Sequence, residues 1–137
     1  MKYNTIRILI GLLIQNPHLY KIIPKKIENL HKYKIKGLNL FLKIKKICEL
    51  HKNIKTGQII ELYRNSKKYY IMKKIAIWNH MISKKKIKNV FLDSIHNILQ
   101  KDLEALQDHL IAKERSNGLS KKEKIKLWKI NKVLFKK

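Results

Sequence analysis

Cysteine, proline, glycine, arginine and acidic residues are all scarce in this 137-residue sequence, and each scarcity closes off some chemistry. Cys48 stands alone, so no intramolecular disulfide and no cysteine-based metal site can form. Its setting, Ile44-Lys45-Lys46-Ile47-Cys48-Glu49-Leu50, is helical, and it reads as a small buried apolar residue compatible with a reducing cytoplasm. The four glycines build no phosphate-cradling loop. The six histidines (His18, His31, His51, His80, His96 and His109) are scattered, with no His-x-x-x-His pair and no zinc spacing. The nine acids put no catalytic pair on one helical face. Glu104 and Asp108 stack four apart, as on a solvated face. Catalysis inside this chain is therefore not expected, and a binding module is. Long hydrophobic runs are missing too. Ile8 to Ile14 follows Lys2 and Arg7 as a signal peptide would, but it is short for a membrane span. Gln15-Asn16-Pro17 comes next in place of a small-residue cleavage site. It reads as a core helix.

What is abundant is lysine. The formal net charge is +24, from 33 basic and 9 acidic side chains. Such an excess ordinarily points to nucleic acid, an anionic membrane or an acidic partner. Here arginine occurs only at Arg7, Arg64 and Arg115, while Lys, Ile and Asn, whose codons are rich in A and T, are all in excess. Base-reading proteins lean on the planar fork of arginine. The lysine excess thus reads mostly as the background of an AT-rich genome. A small basic nucleic-acid-binding protein remains the alternative.

The periodicity is helical throughout, and the fold class expected is all-α. A first helix runs from about Thr5 to Gln15, with Asn4 or Thr5 as cap. Asn16 then caps a short second helix with Pro17 at its first position, and Pro24 ends it. Ile27 to Leu30 forms a single turn, Gly37 a break, and Leu38 to Leu50 an apolar helix. Thr56-Gly57-Gln58 opens another helix through Tyr63. Tyr69, Met72, Ile75, Trp78, Met81 and Ile82 line one face of an amphipathic helix. From Ile87 to Ile111 helical spacing continues without Pro or Gly for about 40 Å, at 1.5 Å per residue. That exceeds a small bundle, so part of the helix packs on the N-terminal bundle while the rest pairs with the last helix. Asn117-Gly118 stops the long helix in the left-handed conformation. Ser120 and Glu123 form a capping box for the last one, which carries Ile125, Leu127, Trp128, Ile130, Val133, Leu134 and Phe135. Most acids (Asp93, Asp102, Glu104, Asp108, Glu114 and Glu123) lie on the long helix or the hairpin. The division expected is a helical bundle over 1–84 and a long helix with a helical hairpin over 85–137. Lys84-Lys85-Lys86 is a solvated charge run at a junction.

Three segments together resemble a known family: Arg7-Ile8-Leu9-Ile10-Gly11-Leu12-Leu13-Ile14-Gln15-Asn16-Pro17; Thr56-Gly57-Gln58 with Tyr63-Arg64; and Leu110-Ile111-Ala112-Lys113-Glu114-Arg115 followed by Gly118-Leu119-Ser120 and Leu127-Trp128. In order and spacing they are similar to the C-terminal helicase-binding domain of bacterial DNA primases of the DnaG type, from about Lys2 to Lys137. The family's primases also hold a zinc-binding domain and a polymerase core with metal-binding carboxylates. The resemblance places zinc and magnesium there and no cofactor in this chain. The chain is then an excised domain, a split product or a truncated gene. It serves the primosome rather than priming alone, in the nucleoid-associated bacterial cytoplasm and without a membrane.

The resemblance implies two partners and touches nucleic acid only indirectly. The hairpin docks on the N-terminal domain of the replicative helicase, which designates Ile111, Arg115, Leu119, Trp128, Asn131, Leu134 and Lys136. The plainer use of Ile111, Trp128 and Leu134 is to hold the two helices together. The acidic, Phe-terminated tail of single-stranded DNA-binding protein is captured around the first helix, which designates Lys2, Thr5, Ile6, Arg7, Ile10, Lys74 and Ile75. A helix N-terminus with added basic charge suits an acidic tail, and the isoleucines suit its ring.

Overall fold

The computed structural model describes residues 5–30 and 35–135, with the Phe135 side chain left out. Six α-helices follow one another: α1 (Thr5–Gln15), α2 (Leu38–Leu50), α3 (Thr56–Leu62), α4 (Tyr69–Ala76), α5 (Ile87–Asn117) and α6 (Lys121–Phe135). Two 3-10 helices, Pro17–Ile22 and Lys25–Asn29, lie between α1 and α2, and there is no strand among the described residues. The fold is all-α. Two compact units divide the chain. One holds Met1–Pro24 with Ile35–Ile95, and the other Lys25–Lys34 with His96–Lys137. The sequence reading divides at 84/85, in front of α5; the units divide inside α5, after Ile95.

The first unit is organised around α1. Ile6 and every residue from Leu9 to Ile14 are buried, so this helix is apolar almost all round. A helix of that kind belongs inside a core. It packs against α2, α3, α4 and the first 3-10 helix. Phe41, Ile44 and Cys48 of α2, Ile59 of α3, Met72 of α4 and Phe91 and Ile95 of α5 are fully buried in this unit. Each such side chain contributes about 1.5–3 kcal/mol relative to exposure. No described helix is long and apolar enough to cross a membrane.

Two local details differ from expectation. Asn16 precedes the 3-10 helix but its side chain does not cap it. Its Nδ2 donates back to the Leu12 carbonyl at 3.1 Å, closing the end of α1. The Thr56 hydroxyl does the same from a distance, donating to the Ile14 carbonyl at 2.8 Å. The Thr56 bond satisfies a carbonyl that a helix C-terminus leaves without an internal partner, while the Leu12 carbonyl also accepts the Asn16 N–H at 2.8 Å. The second difference is in α4, which stops at Ala76 instead of running on to Ile82. Asn79 Oδ1 accepts the Met81 N–H and His80 Nδ1 accepts the Ile82 N–H. Such side-chain turns offer the backbone an alternative to the helix. Trp78 and Ile82 are half-buried from an irregular segment, while Ile77 and Met81 are exposed.

The second unit contains the hairpin. The long helix expected is present: α5 has 31 residues. Gly118 ends it with φ +75°, and its N–H reaches back to the Lys113 carbonyl at 3.1 Å. The capping box is formed in both directions. Ser120 Oγ accepts the Glu123 N–H, and Glu123 Oε1 accepts the Ser120 N–H.

Candidate docking surfaces

The hairpin is closed by its own core. Leu106 and Leu110 of α5 and Ile130 of α6 are buried together, with Leu103, Leu119, Leu127 and Leu134 packed against them. Two polar clasps join the helices. Gln107 Nε2 donates to Asn131 Oδ1 at 2.5 Å, and Lys113 Nζ donates to Glu123 Oε2 at 2.6 Å. Lys113, together with the Ser120 N–H, holds the Glu123 carboxyl down at about 2.

With its inner face filled, α6 carries a second apolar stripe outside. Leu127, Ile130 and Leu134 point inward. Ile125, Trp128 and Lys132 recur at the same three- and four-residue spacing on the opposite side. Trp128 is 57% exposed and Ile125 56%, and Val133 is exposed beside them. Lys132 Nζ lies 4.1 Å from the centre of the Trp128 ring. Lys121, Lys122, Lys124 and Lys129 are exposed along the same half of the helix, and the one acid of α6, Glu123, is turned toward Lys113. A solvent-exposed tryptophan flanked by cations, on a hairpin whose core is complete without it, has the composition of a protein-contact anchor.

The other surface is a groove of about 600 Å³ in the first unit, between α1, the start of α2 and α4. Ile6, Ile10, Leu40, Ile71 and Ile75 give it apolar walls, and Arg7, Lys36 and Lys74 supply positive charge. No acid lines it. Gly37 starts α2 at its edge with φ +95°, a conformation glycine takes at no steric cost. Apolar walls under cations fit an acidic peptide with a hydrophobic end. Among the described residues no three His, Cys, Asp or Glu side chains come together as metal ligands.

The family of proteins described as DNA primase DnaG DnaB-binding matches residues 6–130. The chain belongs to this family. It is 39% identical over 137 residues to the DNA primase of Escherichia coli strain K12, with all of this chain and 23% of that protein covered. It is 48% identical over 138 residues to the DNA primase of Buchnera aphidicola subsp. Acyrthosiphon pisum, with 99% of this chain and 23% of that protein covered. The chain thus spans about a quarter of the length of the relatives it matches. In structure it is similar to the DnaG primase C-terminal domain from Vibrio cholerae, with a TM-score of 0.75 and 33% identity. That match covers 97% of this chain and 98% of the other.

The residues designated from the family pattern are placed unevenly. In the groove, Ile6, Arg7, Ile10, Lys74 and Ile75 are brought together, although they come from α1 and α4, which are far apart in sequence. Thr5 is half-buried and outside the groove lining, and Lys2 lies outside the described residues. On the hairpin, Trp128 and Arg115 are exposed and Ile111 is half-buried. Leu119 and Leu134 pack on the hairpin core, and Asn131 forms the clasp to Gln107. Lys136 lies outside the described residues. The sequence reading missed Lys36, Leu40, Ile71 and Trp78 in the groove. No local pattern ties these residues to α1. It also missed Ile125 and Val133 as outward residues. For Ile125 a signal existed: 125, 128 and 132 form a helical stripe separate from 127, 130 and 134.

Proposed function

We propose that this chain is the part of a bacterial DNA primase that recruits it to the replicative helicase at the fork, where RNA primers are made. The hairpin of α5 and α6 docks on the N-terminal domain of the DnaB-type helicase. The observation that carries this is Trp128, an exposed aromatic on a hairpin already closed by Leu106, Leu110 and Ile130. Membership of the DnaB-binding family supports it. Arg115 and Trp128 are the designated residues best set to touch the helicase. Leu119, Asn131 and Leu134 act by holding the hairpin's shape. The α1–α4 groove takes the acidic tail of single-stranded DNA-binding protein, its aromatic end among the isoleucines and its carboxylates toward Arg7, Lys36 and Lys74. The site of action is the bacterial cytoplasm, and no metal or cofactor takes part in either contact.

Titration calorimetry of nuclease-treated chain against the isolated helicase N-terminal domain tests the reading. Binding is expected without nucleic acid. No heat at high micromolar concentration sinks the helicase assignment. Tight binding to single-stranded DNA, with affinity falling steeply and linearly on a log–log salt plot, supports the nucleic-acid alternative instead.

A further inference from the structure

We propose that the outer face of α4, with the turn leading into it, holds single-stranded nucleic acid, a base stacking on Tyr70 and phosphates meeting the lysines around it. The contact is weak and additional to both docking surfaces. From Leu62 to Leu92 the chain carries nine basic residues and no acid. The acid just before this stretch, Glu61, is paired with Arg64 at 2.8 Å. Elsewhere lysines meet acids, Lys45 with Glu49 on α2 and Lys113 with Glu123 on the hairpin. A genomic background spreads lysine evenly. Here it is concentrated, and tyrosines stand within it.

Helical spacing puts Tyr70, Lys73 and Lys74 on the side of α4 away from Met72, which is fully buried. Tyr70 is 66% exposed, and Lys67 and Lys68 are exposed in the turn before it. Lys74 Nζ lies 4.5 Å from the centre of the Tyr70 ring, and Lys73 Nζ 5.2 Å from that of Tyr69. An exposed ring among cations offers a strand what it needs: a flat surface for a base and positive charge for the phosphates beside it. A duplex keeps its bases stacked and would leave the ring unused. Ammonium groups meet phosphates as point charges and lack the fork that reads base edges, so the face does not select sequence. The helix that carries it is firmly backed. Gln15, at the end of α1, donates from Nε2 to the Ile75 carbonyl at 2.9 Å and to the Trp78 carbonyl at 2.8 Å. Gly11 makes room for the Trp78 ring: a Cβ there would stand 2.7 Å from two of its carbons. Gln15 and Gly11 thus position Trp78 and the end of α4. With its backbone already fixed, α4 has little left to order when a strand arrives.

Fluorescence anisotropy with labelled strands of about twenty nucleotides tests the proposal. Oligo(dT) is expected to bind with a Kd of about 0.1 mM at physiological salt, in the range of non-specific contacts. Tyr70→Ala should weaken it about fivefold or more, and Tyr70→Phe, which keeps the ring, should bind like the parent. Lys67→Gln with Lys73→Gln should weaken binding and lower the slope of the log–log salt plot by about one. Lys74 is left intact because it also lines the groove. Lys46→Gln with Lys101→Gln, an equal loss of exposed charge elsewhere, should leave the slope in place. Oligo(U) should match oligo(dT), since phosphates and base faces are common to both. An abasic strand should bind as weakly as oligo(dT) binds Tyr70→Ala. Parent-like binding by Tyr70→Ala, equal loss from the two lysine pairs, or an abasic strand that binds like oligo(dT) overturns the proposal and leaves only diffuse charge. A tenfold preference for either sugar overturns the claim that phosphates and base faces alone are read. A polyglutamate peptide that binds as tightly as oligo(dT), and loses as much with Tyr70→Ala, overturns it in favour of an acidic protein partner. Tyr70→Ala should still bind the helicase N-terminal domain like the parent, so failure on this face leaves the helicase assignment standing.

Discussion

Thr56 shows how a residue of the family-like pattern earns its place without touching a partner. Its hydroxyl closes the C-terminus of α1 by donating to the Ile14 carbonyl. Thr56→Val keeps the shape and removes the bond, and is expected to cost about 1 kcal/mol in a denaturant titration. Cys48 was legible from its helical, apolar neighbourhood, and it is fully buried. Burial, aided by the nearby Glu49 charge, pushes its thiol up to about 11. Alkylation by iodoacetamide at pH 8 should therefore be slow in the folded chain and rapid once denaturant unfolds it. Gly11 and Gln15 were not legible as positioning residues. What they position, Trp78, is more than sixty residues away in sequence, and no local period announces such a contact.

The hairpin was the most readable element, because every device that makes it is local. Gly118 terminates, Ser120 and Glu123 cap, and the apolar spacing continues on both sides. The end of α4 was the least readable. Tyr69 to Ile82 keeps helical spacing, but the turns at Asn79 and His80 and the seating of Trp78 on Gly11 outweigh propensity. The pH dependence of the hairpin follows from Glu123. Its carboxyl titrates at about 2 when folded, against an ordinary value of 4.5. The stabilisation is therefore fully present above pH 4.5 and is lost as pH falls toward 2. Glu123→Gln should flatten that part of a melting-temperature profile, measured by circular dichroism. In the hairpin core, Ile130→Ala is expected to cost about 2–5 kcal/mol and to loosen α6 from α5, visible as faster amide exchange along α6.

At the scale of the molecule, the loudest feature of the sequence, a net charge of +24, is not what organises either surface. Both candidate docking surfaces are apolar at their centres and basic at their rims. The central claim is that the outer face of the hairpin binds the helicase while its inner face only holds the hairpin together. Trp128→Ala separates the two roles, since the hairpin core is complete without this side chain. It removes an exposed ring and its contact with Lys132, so the melting temperature should fall by no more than about 4 °C. The decisive measurement is calorimetric titration of this variant and the parent chain against the helicase N-terminal domain. The account predicts that the parent binds and that Trp128→Ala weakens binding roughly tenfold or more. Parent-like binding by a well-folded Trp128→Ala chain would contradict it.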